Sequence, residues 1–547
     1  MTSTLLRQIM SNISKKKVPH TGPEDAEVVI LGDMPSEDDD LQGLPFVGRN
    51  GEFLNHLLSL ADIPRSICRV ANVCNYHAKG NDFKLLHGSQ QLMEGRAEII
   101  TYLRDHSPKI IIALGNESLK LLTGMDGIWK WRGSVLRYDR SFVIPTIHPA
   151  MAFRDGQAPP VIEFDLRKAK RILENGYTPP VHNFNTDCTP IEVSNYLDRI
   201  KAAPFVTADI ESIRGTTHIL CIGFAFSDRD AICIRNPYPL GQGCSPDFVD
   251  AVNKVVDAAA SVTFHNGLFD TEVLSINGIH IPEEKYDYDT MYIQRVIAPE
   301  LPIGLDFCGS IYTDEPYYKD DGKDNSANYK TSLWEYNCKD CIVTYITREK
   351  QSEVLLSDET LSNTARYQMS LVPVASHISK AGLFIDNDRV SLLRDSVQSR
   401  LDESRGYLYA INGGPFLTSS PKQVVDFLHK KLGLPTRSNR ENKVTTNEDA
   451  LVSLIHYAQK EMDIRKTEKS KQEWFFKLAA LKLLLRVRGY EKLLSSYLNI
   501  KSSPDGRVRS SYKISGTETG RWSASNYVDG SGFNAQTLPR EEIEVDI

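Results

Sequence analysis

Asp209 and Glu211 are two carboxylates separated by one residue at the end of a β-prone run, Phe205-Val206-Thr207-Ala208. In an extended strand alternate side chains share a face, so both acids project the same way, about 7 Å apart along the strand. Carboxylates paired like this can share a hard cation such as Mg²⁺ or Mn²⁺, which prefers oxygen ligands. A third acid, Asp270, closes the stretch Phe264-His265-Asn266-Gly267-Leu268-Phe269-Asp270. A fourth, Asp340, closes Tyr336-Asn337-Cys338-Lys339-Asp340, and on a helix Tyr336 and Asp340 would lie one turn apart on one face. One acid, or one pair, is most often a solvated surface group. Four in this order, each in its own local context, point instead to a cation site.

In order and spacing the set resembles the proofreading 3′–5′ exonucleases, whose motifs are DxE, an Asn-x-x-x-Asp stretch and YxxxD. Asp289-Thr290 resembles that family's DT element. The resemblance implies a ribonuclease-H-like domain over 181–357 that acts on single-stranded 3′ ends of DNA and releases nucleoside 5′-monophosphates. It implies two divalent cations, Mg²⁺ or Mn²⁺, held by Asp209, Glu211, Asp270 and Asp340, with Asp209 shared between them. Tyr336 would orient the attacking water, and Asn266 would contact the substrate.

A second set of residues stands in the first third of the chain. Val28-Val29-Ile30-Leu31-Gly32-Asp33-Met34-Pro35 is followed by Leu44-Pro45-Phe46-Val47-Gly48, Asn72-Val73, Arg132-Gly133 and Ile147-His148-Pro149-Ala150. In that order they resemble the uracil-DNA glycosylase superfamily, most closely its family 4, and imply such a domain over 1–180. The resemblance makes Phe46 the ring that stacks on a flipped base, Asn72 the residue that reads uracil, and His148 the group facing the leaving base. Arg154 falls where a basic residue approaches the DNA. Asp33 stands where the family carries a glutamate, one methylene longer. The family's iron–sulfur cluster needs four cysteines, whereas this block has Cys68 and Cys74, with Tyr76 near a ligand position, so no cluster is expected.

The last third carries Thr517-Glu518-Thr519-Gly520-Arg521-Trp522-Ser523 and Asn534-Ala535-Gln536-Thr537-Leu538-Pro539-Arg540, which resemble the entry to the palm of family-A DNA polymerases. Ser379-Lys380-Ala381-Gly382-Leu383-Phe384 and Ser420-Pro421-Lys422-Gln423-Val424 resemble earlier segments of the same family. The resemblance implies a mainly helical thumb and a truncated palm over 358–547, with Thr519 and Arg521 near the primer strand of a primer–template. The palm aspartates that would hold metal for nucleotidyl transfer have no counterpart here. The partner expected besides DNA is a second chain bringing palm and fingers. The competing reading is a non-catalytic DNA-binding or assembly subunit of such a split polymerase.

The elements that must position these residues follow from periodicity. Strands at 27–31, 69–73, 109–114 and 141–147 alternate with helix-like stretches at 51–60 and 92–104, which implies a largely parallel α/β sheet. A Pro-, Asn- and Thr-rich linker spans 178–190. Beyond it, strands at 205–210, 219–227, 230–235 and 261–264 with intervening helices imply a mixed sheet, and 475–498 has the spacing of an amphipathic helix or helix pair. The fold class is therefore multidomain α/β followed by a helical block. A net charge of −7 over 547 residues does not advertise a nucleic-acid binder, but Arg437, Arg440, Lys443, Lys466, Lys469 and Lys471 form a local basic strip. The nine cysteines follow no disulfide pattern, and Cys338 and Cys341 suit small buried helix positions. No apolar run is long enough to span a bilayer, so a cytoplasmic protein is expected, in the host cell if phage-encoded.

Overall fold

The computed structural model describes residues 12–320, 329–438, 443–503 and 505–538. Arg440 and the stretch from Pro539 onward lie outside the described residues. The chain divides into two compact units, Met1–Pro373 with Thr517–Arg521, and Val374–Gly516 with Trp522–Ile547.

The first unit holds two sheets. In the first, β1 (Val28–Gly32), β2 (Cys68–Asn72), β3 (Ile110–Leu114), β4 (Leu136–Tyr138) and β5 (Ser141–Thr146) lie in the order β2-β1-β3-β5-β4. All adjacent pairs are parallel except β4 with β5, so the parallel expectation holds for four of the five strands. β1 and β3 are buried along their whole length, as continuous apolar strands between two helical layers must be. Alternation splits them between two cores. Val28, Ile30, Ile110 and Ile112 join the Arg49–Leu60 and Ala158–Asn175 helices, while Val29, Leu31, Ile111 and Ala113 join the Gln90–His106 helix.

The second sheet runs β11-β10-β7-β8-β9-β6, with β6 Asn183–Cys188, β7 Val206–Ser212, β8 Ile219–Ala225, β9 Asp230–Arg235, β10 Val262–Phe264 and β11 Tyr288–Asp289. β7, β8 and β9 are antiparallel neighbours, whereas β10 pairs parallel with β7 and β6 pairs parallel with β9. β6 corrects the linker expectation. The stretch read as a linker contains an edge strand whose main chain pairs with β9 from Asn183 to Cys188, although its side chains are those of a loop. Ladder bonds come from the backbone, so a suitable neighbouring edge can override weak β propensity.

One helix, Tyr329–Ser357, lies along the second sheet, and its Cys338, Cys341, Ile342 and Tyr345 pack on Cys221, Ala225 and Cys233. Its close approach depends on Gly223 of β8. A Cβ built there would stand 2.4 Å from Asn337 Oδ1 and 2.8 Å from Cys341 Sγ. Thr207 Oγ1 fixes the depth of the helix by donating to the Cys341 carbonyl at 2.7 Å.

The two sheet regions are locked by a buried polar brace. The Arg132 guanidinium, 2% exposed, donates to both Asp165 oxygens and to Ser310 Oγ. Lys168 Nζ donates to the carbonyls of Gly133 (2.9 Å), Ser310 (2.6 Å) and Thr313 (2.9 Å). Leu301 and Phe307, which follow the second sheet in sequence, are buried in the core of the first.

In the second unit the Asn387–Asn412, Glu448–Ile464 and Glu468–Leu493 helices bury Leu401, Leu408, Leu454, Trp474, Leu481 and Leu484 in a single cluster. The amphipathic segment expected at 475–498 begins earlier, at Glu468, where the Thr467 side chain caps the helix by accepting from Ser470 N–H. Short ladders pair β12 (Leu383–Phe384) with β13 (Arg507–Val508), and β14 (Ser510–Lys513) with β15 (Ser523–Asn526). Among the described residues no helix is long and apolar enough to cross a membrane.

Replacing Gly223 by valine should push the Tyr329–Ser357 helix off the sheet. The expected loss is about 1–3 kcal/mol of stability, read as a lower denaturation midpoint in urea. An unchanged midpoint would show that the close approach is not required.

Candidate active sites

The carboxylate centre is assembled by three elements. β7 carries Asp209 and Glu211, the Tyr329–Ser357 helix carries Tyr336 and Asp340, and the Gly267–Ile276 helix carries Asp270. Asp209, Glu211 and Asp340 each bring a carboxylate oxygen into one group whose atoms all lie within 4.8 Å of one another. Asp270 stands beside them, and its Oδ1 accepts from Ile210 N–H, the residue between the two strand acids, at 3.1 Å. Asn337 Nδ2 orients Asp209 by donating to its carbonyl at 3.0 Å and to its Oδ2 at 2.9 Å.

The electrostatics follow from packing acids together away from water. Burial, then the charges of Asp340, Asp270 and Glu211, hold the Asp209 carboxyl well above the usual range. Burial and Asp340 raise Glu211 to about 8, with Lys319 opposing. Burial raises Asp270 to about 7 against the hydrogen bond from Ile210. A set of oxygen donors that resists acquiring its own negative charge fits a hard divalent cation, which would supply the missing positive charge.

Three further residues of this centre carry no motif. Lys319 Nζ donates to Asp340 Oδ1 at 2.6 Å, to Asp340 Oδ2 at 2.7 Å and to Tyr336 Oη at 3.1 Å. Tyr318 Oη donates to Asp340 Oδ1 at 2.6 Å. Asn337 sits inside the Tyr-x-x-x-Asp spacing without being part of it. The acid of Asp289-Thr290 has a structural task. Asp289 is fully buried and accepts from the main chain of Asn266 (3.1 Å), Gly267 (2.8 Å) and Met291 (2.9 Å), and from Tyr286 Oη (2.6 Å). It thereby holds the turn at Asn266, whose φ of +72° asparagine tolerates, and so aims the helix that carries Asp270.

The second group lies on the first sheet. Phe46 is buried with φ +54° and its ring centroid is 5.8 Å from that of His148. The turn is pinned by Asp39, whose Oδ1 accepts from Val47 N–H at 2.8 Å and whose Oδ2 accepts from Ser36 N–H at 2.9 Å. A Cβ at Gly32 would stand 2.5 Å from Phe46 Cζ and 2.6 Å from Asn72 Oδ1, so that glycine leaves the space between them. Asn72 is 1% exposed and its Oδ1 has no hydrogen-bond partner. His148 Nδ1 accepts from Ala150 N–H at 3.2 Å, and burial depresses the ring's pKa to about 4. The imidazole is therefore neutral with its proton on Nε2. Asp33 accepts from Ser118 N–H at 3.2 Å, and burial raises its carboxyl to about 7. Arg154 is exposed just after the Pro149–Phe153 turn. Cys68 and Cys74 point their thiols at the carbonyls of Pro64 and Tyr76, and burial pushes both thiols up to about 11.

Thr519 and Arg521 fall in the exposed turn between β14 and β15, where Thr517 Oγ1 lies 3.1 Å from Thr519 Oγ1 and accepts from Arg521 N–H at 3.0 Å. Arg437 donates to Ser453 Oγ, and Lys471 pairs with Glu468, so part of the basic strip is engaged locally.

Residues 19–169 match the family model for the uracil DNA glycosylase superfamily, and residues 387–541 match that for DNA polymerase family A. The type-4 uracil-DNA glycosylase of Saccharolobus solfataricus is 28% identical over 171 residues, 29% of this chain and 78% of that protein. The DNA polymerase of Bacillus phage SP01 is 22% identical over 642 aligned positions, which take in 97% of this chain and 65% of that protein. The chain thus spans about two thirds of the phage polymerase, and the expected second chain gains no support from it. A solved structure of the POL domain of Pol1 from M. smegmatis, in complex with DNA primer-template and dNTP, superposes with a TM-score of 0.44 at 17% identity, covering 66% of this chain and 57% of that one.

The raised carboxyl of Asp33 makes a prediction with a definite sign. In the fold it keeps its proton to about pH 7, whereas unfolded it loses it near the ordinary carboxylate value of 3.8. Between those values the unfolded state binds fewer protons, so stability falls as pH rises. Asp33→Asn should therefore gain stability relative to the unsubstituted protein from about pH 4 to about pH 8, followed as the difference in melting temperature. A difference that stays constant across that window would contradict the assignment.

Proposed function

We propose that this chain, which joins a uracil-DNA-glycosylase-superfamily domain to a family-A DNA polymerase region, is a metal-dependent 3′–5′ exodeoxyribonuclease of the proofreading type. The observation that carries this reading is the convergence of Asp209, Glu211 and Asp340 oxygens within 4.8 Å, with Tyr336 and Asp270 beside them. In this reading 1–180 is the glycosylase-like domain, 181–357 a ribonuclease-H-like exonuclease domain, and 358–547 the thumb and first part of the palm. The substrate is the single-stranded 3′ end of DNA, and 358–547 would serve a primer–template, with Thr519 and Arg521 near the primer strand.

Two divalent cations, held by Asp209, Glu211, Asp270 and Asp340, would supply charge stabilisation for the attacking and leaving oxygens of phosphodiester hydrolysis. The residues themselves do the rest. Asn337 fixes the rotamer of Asp209. Burial and Asp340, to which the phenol hydrogen-bonds, keep Tyr336 protonated, and its oxygen accepts from Lys319, so the phenol is held over the centre where a water or the scissile phosphate would compete for its hydrogen. Asn266 stands at the mouth of the Asp270 helix, suited to the terminal nucleotide.

Uracil excision is a second activity that a separate observation favours. The buried, unpartnered Asn72 Oδ1 lies across the Gly32 gap from the Phe46 ring. That arrangement supports a flat base stacked on Phe46 and read along its polar edge by Asn72. The Nε2–H of neutral His148 suits the oxygen on which charge develops as the base leaves, and Asp33 in its ionised form suits placement of water. Arg154 suits a DNA phosphate nearby. Cys68 and Cys74 make no iron–sulfur cluster part of this proposal.

A 5′-labelled oligonucleotide with one internal uracil tests both. With Mg²⁺ the protein should produce a ladder shortening from the 3′ end, lost with EDTA and reduced about a thousand-fold or more by Asp209→Ala, as removal of several kcal/mol of stabilisation requires. A cut at uracil that appears after alkali and survives EDTA would demonstrate excision, and it should vanish in Asn72→Ala. If folded protein gives neither signal, the enzyme reading fails in favour of an assembly role.

A further inference from the structure

We propose that Lys319 is a positioning residue of the carboxylate centre, delivered there by a strap that the first domain clamps. The inference rests on the exonuclease reading and deepens it.

The ammonium of Lys319 has three hydrogens and three acceptors, Asp340 Oδ1, Asp340 Oδ2 and Tyr336 Oη. Oδ1 accepts from both Lys319 and Tyr318 Oη, whereas Oδ2 accepts from Lys319 and not from Tyr318, which leaves Oδ2 the more open to a cation; the Tyr336 phenol also hydrogen-bonds this carboxylate. Lys319 thus fixes the orientation of the Asp340 carboxylate through both its oxygens, and Tyr318 beside it marks which oxygen is left to the cation site. By taking the phenol oxygen of Tyr336 as an acceptor, it also directs the phenol hydrogen elsewhere. Its side chain is 17% exposed, so this charge acts in a partly dehydrated setting and also opposes the raised pKa values of Asp209 and Glu211.

The neighbours of Lys319 explain how it is held. The strap begins with Leu301 and Phe307 in the core of the first sheet and is fastened by Arg132 and Lys168 at Ser310 and Thr313. It is clasped again on both sides of Tyr318-Lys319. Tyr317 N–H donates to Ser134 Oγ at 3.1 Å, and its ring meets Trp131 at 5.4 Å between centroids, with Lys130 Nζ 4.9 Å from its centre. Asp320 pairs with the same Lys130. The glycosylase-like domain therefore holds residues 317 and 320, while 318 and 319 reach into the exonuclease centre.

Lys319→Met and Lys319→Arg, with the clamp variant Lys130→Ala/Trp131→Ala, test this in the full chain. Exonuclease kcat and KM would be measured on single-stranded DNA, Mn²⁺ affinity by electron paramagnetic resonance, and folding by melting temperature. Lys319→Met should lower kcat about ten-fold or more with KM nearly unchanged, and any fall in melting temperature should be recovered on adding Mn²⁺. It should also bind Mn²⁺ several-fold more tightly, because a positive charge has left the ligands. Lys319→Arg should restore part of kcat, and the clamp variant should move kcat and Mn²⁺ affinity the same way by less. A purely structural lysine would instead weaken Mn²⁺ binding and lower the melting temperature together, which would overturn the proposal, as would kcat and Mn²⁺ affinity both within two-fold of the unsubstituted chain. If the unsubstituted chain has no exonuclease activity, the exonuclease reading fails on its own. The Mn²⁺ measurement then decides the role of Lys319, tighter binding in Lys319→Met supporting it and unchanged or weaker binding overturning it.

Discussion

The carboxylate centre depends on how closely one helix can approach one sheet. Without a side chain at Gly223, the Tyr329–Ser357 helix settles deep enough for Asn337 to reach Asp209 and for Thr207 to bond the Cys341 carbonyl. That depth carries Tyr336 and Asp340 over the acids of β7. It also creates the problem the centre must solve, which is several carboxylates in one poorly hydrated place. Burial first, and then repulsion from neighbouring acids, raises Asp209 and Glu211, and Lys319 offsets part of it. Close packing and charge crowding are therefore one constraint seen from two sides.

The two candidate centres use burial differently. In the first sheet a single acid, Asp33, is raised mainly by loss of water, while a main-chain N–H at the start of the Asn116–Thr123 helix pulls the other way. Burial also strips His148 of its proton and leaves it a neutral donor. In the second sheet burial acts together with mutual repulsion, and the remedy is external positive charge. One pocket keeps its polar groups neutral, the other crowds carboxylates around one point.

Much of this was legible in the residue order, because the relevant signals are local. Asp209-Ile210-Glu211 needs only the alternation of a strand, and Tyr336 with Asp340 needs only one helical turn. The apolar runs of β1 and β3 announced a sheet covered on both faces. What escaped has long-range causes. Lys319 and Tyr318 meet Asp340 from 21 and 22 residues away through a strap whose path is set by another domain. Asp39 looks like one more acid in Glu37-Asp38-Asp39-Asp40, and only the fold shows it pinning the Phe46 turn. β6 was hidden because Asn183-Phe184-Asn185-Thr186-Asp187-Cys188 has the composition of a loop. Its strand character comes from the open edge of β9.

The strap has a consequence for the order in which the molecule can be made. Its anchoring contacts at Ser310 and Thr313 join residues more than a hundred positions apart, to Arg132 and Lys168. Contacts of such separation close late and slow folding, unless one side is already in place. Synthesis from the N-terminus provides that condition, since the first sheet can fold before residue 301 leaves the ribosome. The strap then docks on a finished surface and fixes Tyr318 and Lys319 in advance of the Tyr329–Ser357 helix that they will hold. A chain made in the opposite order, or cut between its two sheets and mixed, would lack that template and would have to find the same arrangement by diffusion.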